Sequence, residues 1–155
     1  MPRAQPPERA RRRHRHRFRI ASNRDAVAPA VERILDVVRD VGLNADRQAD
    51  LAVAITEALS NAAVHGNRLK PSRRVQVDVV VTPRDSAVIE IKDSGAGFDL
   101  EAVADPTDPK HLLDADGRGI FLMRRLVDSL EYLDHGSRVR LTMERRQLHR
   151  RSRKP

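Results

Sequence analysis

From residue 18 onward the apolar positions recur with two distinct periods, and each period predicts a different kind of element. Residues 18–21 form a short apolar start, and Ser22 and Asn23 after it have side chains suited to a helix cap. Val27, Ala30, Val31, Ile34, Leu35, Val38 and Val41 then fall at helical spacing, which predicts a helix over 25–41 ended by Gly42. Pro29 fits that helix only within its first turn, where a missing amide removes no hydrogen bond. A second helix is predicted over 46–66, capped by Asn44 or Asp46, with Leu51, Ala52, Ile55, Ala58, Leu59 and Ala62 apolar and Gly66 at its end. Val75, Val77, Val79 and Val81 follow at the two-residue period of a strand with one buried face. Residues 83–86 read as a turn and 87–91 as the antiparallel partner strand. A polar stretch over 105–116 precedes a helix predicted over 118–129. The end of the pattern is a hairpin, 130–133 with 139–143, around His135, Gly136 and Ser137. No internal repeat interrupts the order.

A chain of 155 residues, 39% hydrophobic, suits one compact domain. Aromatic residues make up 3% and Trp is absent, so the core has to be packed from Val, Leu, Ile and Ala. Without Cys the chain has no disulfide, no thiolate metal site and no cysteine nucleophile. No apolar run reaches the roughly 18 residues of a membrane span, and the Arg-rich start lacks the apolar centre of a signal peptide. A soluble, cytoplasmic protein with no membrane contact is the expectation. The net charge of +8 is unevenly placed. Residues 1–17 hold seven Arg against Glu8, residues 144–155 hold six Arg or Lys against Glu144, and the stretch between is acidic on balance. The expected organisation is a disordered basic arm over 1–17, a domain over 18–144 and a disordered basic tail over 145–155. The arms are able to meet nucleic acid or simply to solubilise the domain. The scarcity of aromatics offers bases no stacking platform.

Three segments concentrate chemistry. In the first, Glu57, Asn61 and His65 stand at i, i+4 and i+8, one stripe of the second predicted helix opposite its apolar face. A carboxylate beside a neutral amide oxygen suits a magnesium-phosphate site, the amide meeting the cation and the carboxylate orienting or deprotonating a hydroxyl. Taken alone, the pair is equally a solvated helix face, and His65 is a helix-end hydrogen-bonding residue. In the second segment a strand delivers Asp93 into a loop with Gly95 and Gly97. The carboxylate can accept from an exocyclic amine such as that of adenine, and the glycines let a flat base approach the backbone. The same residues also suit a tight turn. In the third, Gly117 and Gly119 stand at the start of a predicted helix, where free amides and the helix dipole favour phosphate, and Arg118 adds charge there.

All three segments in this order resemble the ATP-binding family shared by DNA gyrase, Hsp90, histidine kinases and the mismatch-repair protein MutL. Within it the chain is most similar to the small anti-sigma-factor serine/threonine kinases, over roughly residues 18–144. The resemblance implies Glu57 as catalytic base, Asn61 as magnesium ligand, Asp93 as the adenine-binding residue and Gly95 and Gly97 as shapers of the pocket. It also implies phosphate contacts at Gly117, Arg118 and Gly119, and an ATP lid over 105–116. The implied fold is a two-layer α/β sandwich of the Bergerat type, a mostly antiparallel mixed sheet with helices 25–41, 46–66 and 118–129 on one face. The implied activity uses ATP and Mg2+ to phosphorylate a serine on an anti-anti-sigma partner, and the implied second partner is an alternative sigma factor held inactive by a homodimer. Two other readings stand beside it: a switch module that binds ATP without phosphorylating anything, and a nucleic-acid-binding protein that uses the arms. The family pattern supplies no role for the arms.

Overall fold

A computed structural model of the chain describes residues 12–98 and 115–145, with no account of the side chains at 115–117. In chain order the elements are strand β1 (His14–Ala21), helix α1 (Val27–Val37), helix α2 (Ala45–Ser60), strands β2 (Arg74–Thr82) and β3 (Ser86–Lys92), helix α3 (Ala115–Leu126), and strands β4 (Ser129–Leu133) and β5 (Arg138–Glu144). The strands lie side by side as β1-β2-β3-β5-β4, and all four pairings are antiparallel. Among the described residues there is thus no parallel pair of the kind a mixed sheet would contain. Helices cover one face of the sheet, the two-layer arrangement expected.

Alternation sets which face is which. Val75, Val77, Val79 and Val81 on β2, Ile89 and Ile91 on β3, and Leu141 and Met143 on β5 are buried on one side. Ile34 from α1, Leu51, Ile55 and Leu59 from α2, and Met123 from α3 are buried in the same core. The opposite face carries charge. Arg17, Asp78, Glu90, Arg140 and Glu131 stand in register across all five strands. Ion pairs join Arg17 to Asp78 at 2.9 Å, Arg140 to Glu90 at 2.7 Å and Arg140 to Glu131 at 3.2 Å. Partly exposed pairs of this kind contribute about 1 kcal/mol or less each, so the row keeps the face wet more than it holds the fold.

The helix signals act where the sequence places them, with some shifts. Asn23 Oδ1 accepts from Ala26 N at 2.9 Å and caps a short 3-10 turn (Arg24–Ala26), so Pro29 falls in the first turn of α1. A second 3-10 turn, Val38–Val41, follows α1, and Gly42 closes it with a left-handed φ of 74°. Asn44, rather than Asp46, caps α2 by accepting from Arg47 N at 2.9 Å. Arg47 is itself buried, pairs with Asp128 and donates from Nε to Glu144 O at 3.0 Å. The start of α2 is thereby fastened to β5 and to the β4 approach.

Two boundaries differ from expectation. β1 begins at His14, so residues 14–17 belong to the sheet and not to a disordered arm. The physical reason is a ladder with β2 together with Asp78, which takes bonds from both Arg15 and Arg17. An arginine-rich stretch can be a strand when its alternate positions face water and a neighbour neutralises them. Residues 1–11 and 146–155 lie outside the described residues. Helix α3 starts at Ala115 and ends at Leu126, earlier at both ends than 118–129. Gly117 and Gly119 therefore sit inside its first two turns and not ahead of it, and Ala115 and Asp116 are helix, not lid. The remainder of the expected lid, 105–114, lies outside the described residues.

Candidate functional site

The first chemical segment begins on α2 and ends on a different kind of turn. Glu57 lies on the regular helix, but Asn61–Gly66 is a π-helix, with Asn67 N donating to Ala62 O at 2.8 Å. A π turn inserts one residue more than an α turn, which re-aims the side chains that follow, and such turns are frequent at functional sites. Glu57 and Asn61 are both half-buried. Opposite them stands Gly119. A Cβ added there would lie 2.9 Å from Glu57 Oε2 and 3.7 Å from Asn61 Nδ2. Glycine costs stability within a helix, and here it leaves room in front of the carboxylate and the amide. The first and third segments meet at this point.

The second segment leaves β3 at Asp93. Asp93 N donates to Ser137 O at 3.0 Å, which continues the sheet by one step, and Gly95 N donates to Asp93 Oδ1 at 2.7 Å. Burial pushes the Asp93 carboxyl above its ordinary range, while the Gly95 amide and the charge of Arg73 pull it back. A half-buried carboxylate with one oxygen engaged locally has the other to offer a donor. Gly97 has a φ of 78°, and a Cβ on it would lie 1.9 Å from His135 O. That position requires glycine on both counts.

Between these segments lies a cavity of about 260 Å³. Asn61, His65, Asp93 and Gly97 contribute to its lining, and Ile91, Met123, Val139 and Tyr132 give it apolar walls. Phe98 meets Tyr132 edge to face at its rim, ring centroids 5.3 Å apart. Burial raises the Tyr132 hydroxyl to about 12, so the ring enters the site neutral. A few polar groups converging in an apolar cleft is the usual form of a small-molecule site. A larger depression of about 590 Å³ lies on the charged face of the sheet, among Arg15, Arg17, Arg19, Asp78 and Lys92. Its lining is mostly charged and includes none of Glu57, Asn61, Asp93, Gly95, Gly97 and Gly119, so the smaller cleft is the candidate.

Not every expected residue is placed alike. Asn61, Asp93 and Gly97 line the cleft; Glu57 and Gly119 face each other beside Asn61; Gly95 supports Asp93. Arg118 is exposed on α3, and it has no ion pair among the described residues. Of Gly117 only its place in α3 is described. Sequence reasoning gave no site role to Phe98, Tyr132 or Asn67, and read Gly66 only as a helix end. Tyr132 is the only tyrosine in the chain and lies on the strand predicted over 130–133, which is the signal the sequence offers.

The model of the histidine kinase-like ATPase domain matches residues 20–143, which take in the three helices, β2, β3, β4, all but the last residue of β5 and the cleft just described, while most of β1 precedes the match. The chain belongs to the histidine kinase-like ATPase domain family. Membership in it supports ATP binding. Among curated relatives, the serine-protein kinase RsbW of Oceanobacillus iheyensis is 31% identical over 101 residues, 61% of this chain and 63% of that one. The serine-protein kinase RsbW of Listeria monocytogenes is 26% identical over 108 residues, 65% of this chain and 68% of that one. The anti-sigma F factor of Clostridium perfringens is 29% identical over 100 residues, 63% of this chain and 71% of that one. The aligned part thus spans just under two thirds of the Oceanobacillus relative. A crystal structure of the RsbU and RsbW domains of Rv1364c from Mycobacterium tuberculosis superposes with a TM-score of 0.56, covering 86% of this chain and 32% of that one at 14% identity. That likeness is one of fold.

Proposed function

We propose that this chain is an ATP-dependent serine/threonine protein kinase of the anti-sigma type, which phosphorylates a serine on an anti-anti-sigma protein and sequesters an alternative sigma factor. The observation that carries the reading is the meeting of Glu57, Asn61 and Gly119 beside the cleft that holds Asp93. One end of that arrangement suits a base and the other suits phosphoryl transfer. Asp93 accepts from the adenine amine, and the apolar walls hold the ring. Gly117, Arg118 and Gly119 lie toward the phosphates at the start of α3. Glu57 takes the proton from the serine hydroxyl as its oxygen bonds to the γ-phosphorus, and the bond from phosphorus to the bridging oxygen breaks to release ADP.

Among the described residues no group of three His, Cys, Asp or Glu side chains is placed to hold a metal. A magnesium ion commonly takes one or two protein ligands and completes its shell with phosphate oxygens and water. The amide of Asn61 is the residue that would hold it, and the ion when bound would neutralise phosphate charge. Among the described residues no helix is long and apolar enough to cross a membrane. A cytoplasmic homodimer is the form proposed.

Glu57→Gln tests this directly, because it keeps the size of the side chain and removes its basicity. ATP should bind the variant as it binds the wild type, while transfer of radiolabelled phosphate to the cognate anti-anti-sigma protein falls by about 10²–10⁴-fold. Transfer at the wild-type rate would make Glu57 structural and leave a switch that binds ATP without using it.

A further inference from the structure

Asn67 is a polar side chain with no exposed surface. Its Nδ2 donates to Ser22 Oγ at 2.7 Å, and that hydroxyl donates to Arg73 O at 3.0 Å. Its Oδ1 accepts from Ser94 N at 2.8 Å. Its own amide closes the π turn on Ala62 O. One side chain therefore ties together the end of β1, the approach to β2 and the loop that leaves β3.

The loop shows what this tie is for. Three successive amides, those of Asp93, Ser94 and Gly95, are all engaged: the first by Ser137 O across the sheet, the third by the Asp93 carboxyl itself. The middle one is held by a side chain from another element, and that side chain is Asn67. A buried amide is costly unless its bonds are made, and an apolar residue would fill the space without that cost. The neighbouring Gly66 closes on the same carboxyl from the helix, since a Cβ there would lie 2.2 Å from Asp93 Oδ2. Residues 66 and 67 thus fix the Asp93 carboxyl by contact and by backbone anchoring respectively.

We infer that Asn67 is a positioning residue for base selection: by holding Ser94 N it aims the Asp93 carboxyl, so preference for ATP over GTP depends on Asn67 as well as on Asp93. The inference rests on the proposed contact between Asp93 and the adenine amine. Asn67 touches no nucleotide.

Calorimetry with ATP and with GTP on the full chain tests it, using wild type, Asn67→Ala, Asp93→Asn and the double variant. Asn67→Ala should weaken ATP about tenfold, the scale of one hydrogen bond to a charged group, and change GTP less than about twofold. Added to Asp93→Asn, it should cost little more, because the carboxylate it aims is already gone. A folded Asn67→Ala protein that keeps the wild-type preference, or that loses both nucleotides in equal proportion, overturns the inference and leaves the Asp93 assignment intact. If Asn67→Ala does not fold, Ser22→Ala removes the acceptor of the Asn67 amide by a smaller change. It should lower the ATP preference in the same direction, and an unchanged preference there counts against the inference equally. A wild type without preference, or an Asp93→Asn variant that retains it, would overturn the base assignment itself and this inference with it.

Discussion

The Cα of Gly66 lies so close to the carboxyl group of Asp93 that a methyl group on it would stand 2.2 Å from the carboxyl carbon. The last residue of the π turn and the first residue of the loop that leaves β3 are packed to contact, with hydrogen in place of a side chain.

Replacing that hydrogen separates binding from stability. Gly66 has a helical conformation with no positive φ, so Gly66→Ala reduces the freedom of the unfolded chain and favours the helix. The carboxyl of Asp93 has to swing away to make room. Thermal unfolding should show Tm unchanged or higher, while ATP affinity falls by roughly tenfold or more. A variant that is less stable yet binds ATP normally would show that the backbone shifts and the carboxyl does not.

Acidification should expose the role of the same carboxyl. Burial holds it above the ordinary carboxylate range, so the folded state retains its proton more firmly than the unfolded chain does. Its contribution to stability is complete below the unfolded value and is lost as pH rises through the folded one. Affinity for ATP should run the other way, because the ionised carboxylate accepts from the base amine more strongly than the protonated acid does. Binding measured against pH should weaken on acidification before ordinary carboxylates titrate, and Asp93→Asn should remove that step while lowering affinity by about 1.5–3 kcal/mol at neutral pH. The same pH step persisting in Asp93→Asn would assign it to another group.

Gly119→Ala addresses the meeting of α3 with Glu57. Alanine favours a helix over glycine by about 1 kcal/mol, and the atom it meets first is the far end of a flexible side chain. The fold should tolerate the change while Glu57 is displaced, and misplacement of a reacting group by about 1 Å can cost on the order of 10²-fold in rate. Kinase assays should show slowed transfer with Tm preserved, and Asn61→Ala should lose the magnesium dependence of nucleotide binding. Undiminished transfer in Gly119→Ala would mean that the space in front of Glu57 is not used.

β1 offers a test remote from the cleft. Deletion through Arg17 removes four ladder residues and both partners of Asp78, whereas deletion through Arg11 removes neither. The longer deletion should lower stability by at least about 1 kcal/mol relative to the shorter, a few degrees in Tm for a domain of this size. Equal melting temperatures would show that residues 14–17 add nothing to the sheet.

Periodicity made β2, β3 and the β4–β5 hairpin legible because apolar residues, valine and isoleucine in β2 and β3 and leucine, tyrosine, valine and methionine in the hairpin, recur there at a two-residue period. It failed at residues 14–17, where the inward positions are His14 and His16 and the outward ones are arginine, a pattern that becomes a strand only once Asp78 is beside it. The π turn was equally hidden. A run such as Asn61, Ala62, Ala63 and Val64 carries no mark of one extra residue per turn, and only the bond from Asn67 to Ala62 reveals it. At the site, Glu57, Asn61 and Asp93 were visible as chemistry. Asn67 and Gly66 were not, since their work consists of contacts with a loop 27 or more residues away in sequence. The start of α3 lies three residues earlier than the predicted 118 because Gly117 reads as the edge of the helix, whereas the helix runs through it from Ala115.

The position of β5 has a consequence for how the chain comes into being. It is the last of the described strands to be made, yet it lies inside the sheet, between β3 and β4. Until Glu144 has left the ribosome, Ile89 and Ile91 belong to an open edge, Arg47 lacks its carbonyl acceptor, and the cleft lacks Val139. At a synthesis rate of about 5–20 residues per second, the roughly 50 residues from β3 to the end of β5 leave that edge unpaired for several seconds. During that interval the nascent domain has neither a complete cleft nor a finished sheet, and the cleft closes only when β5 has been made.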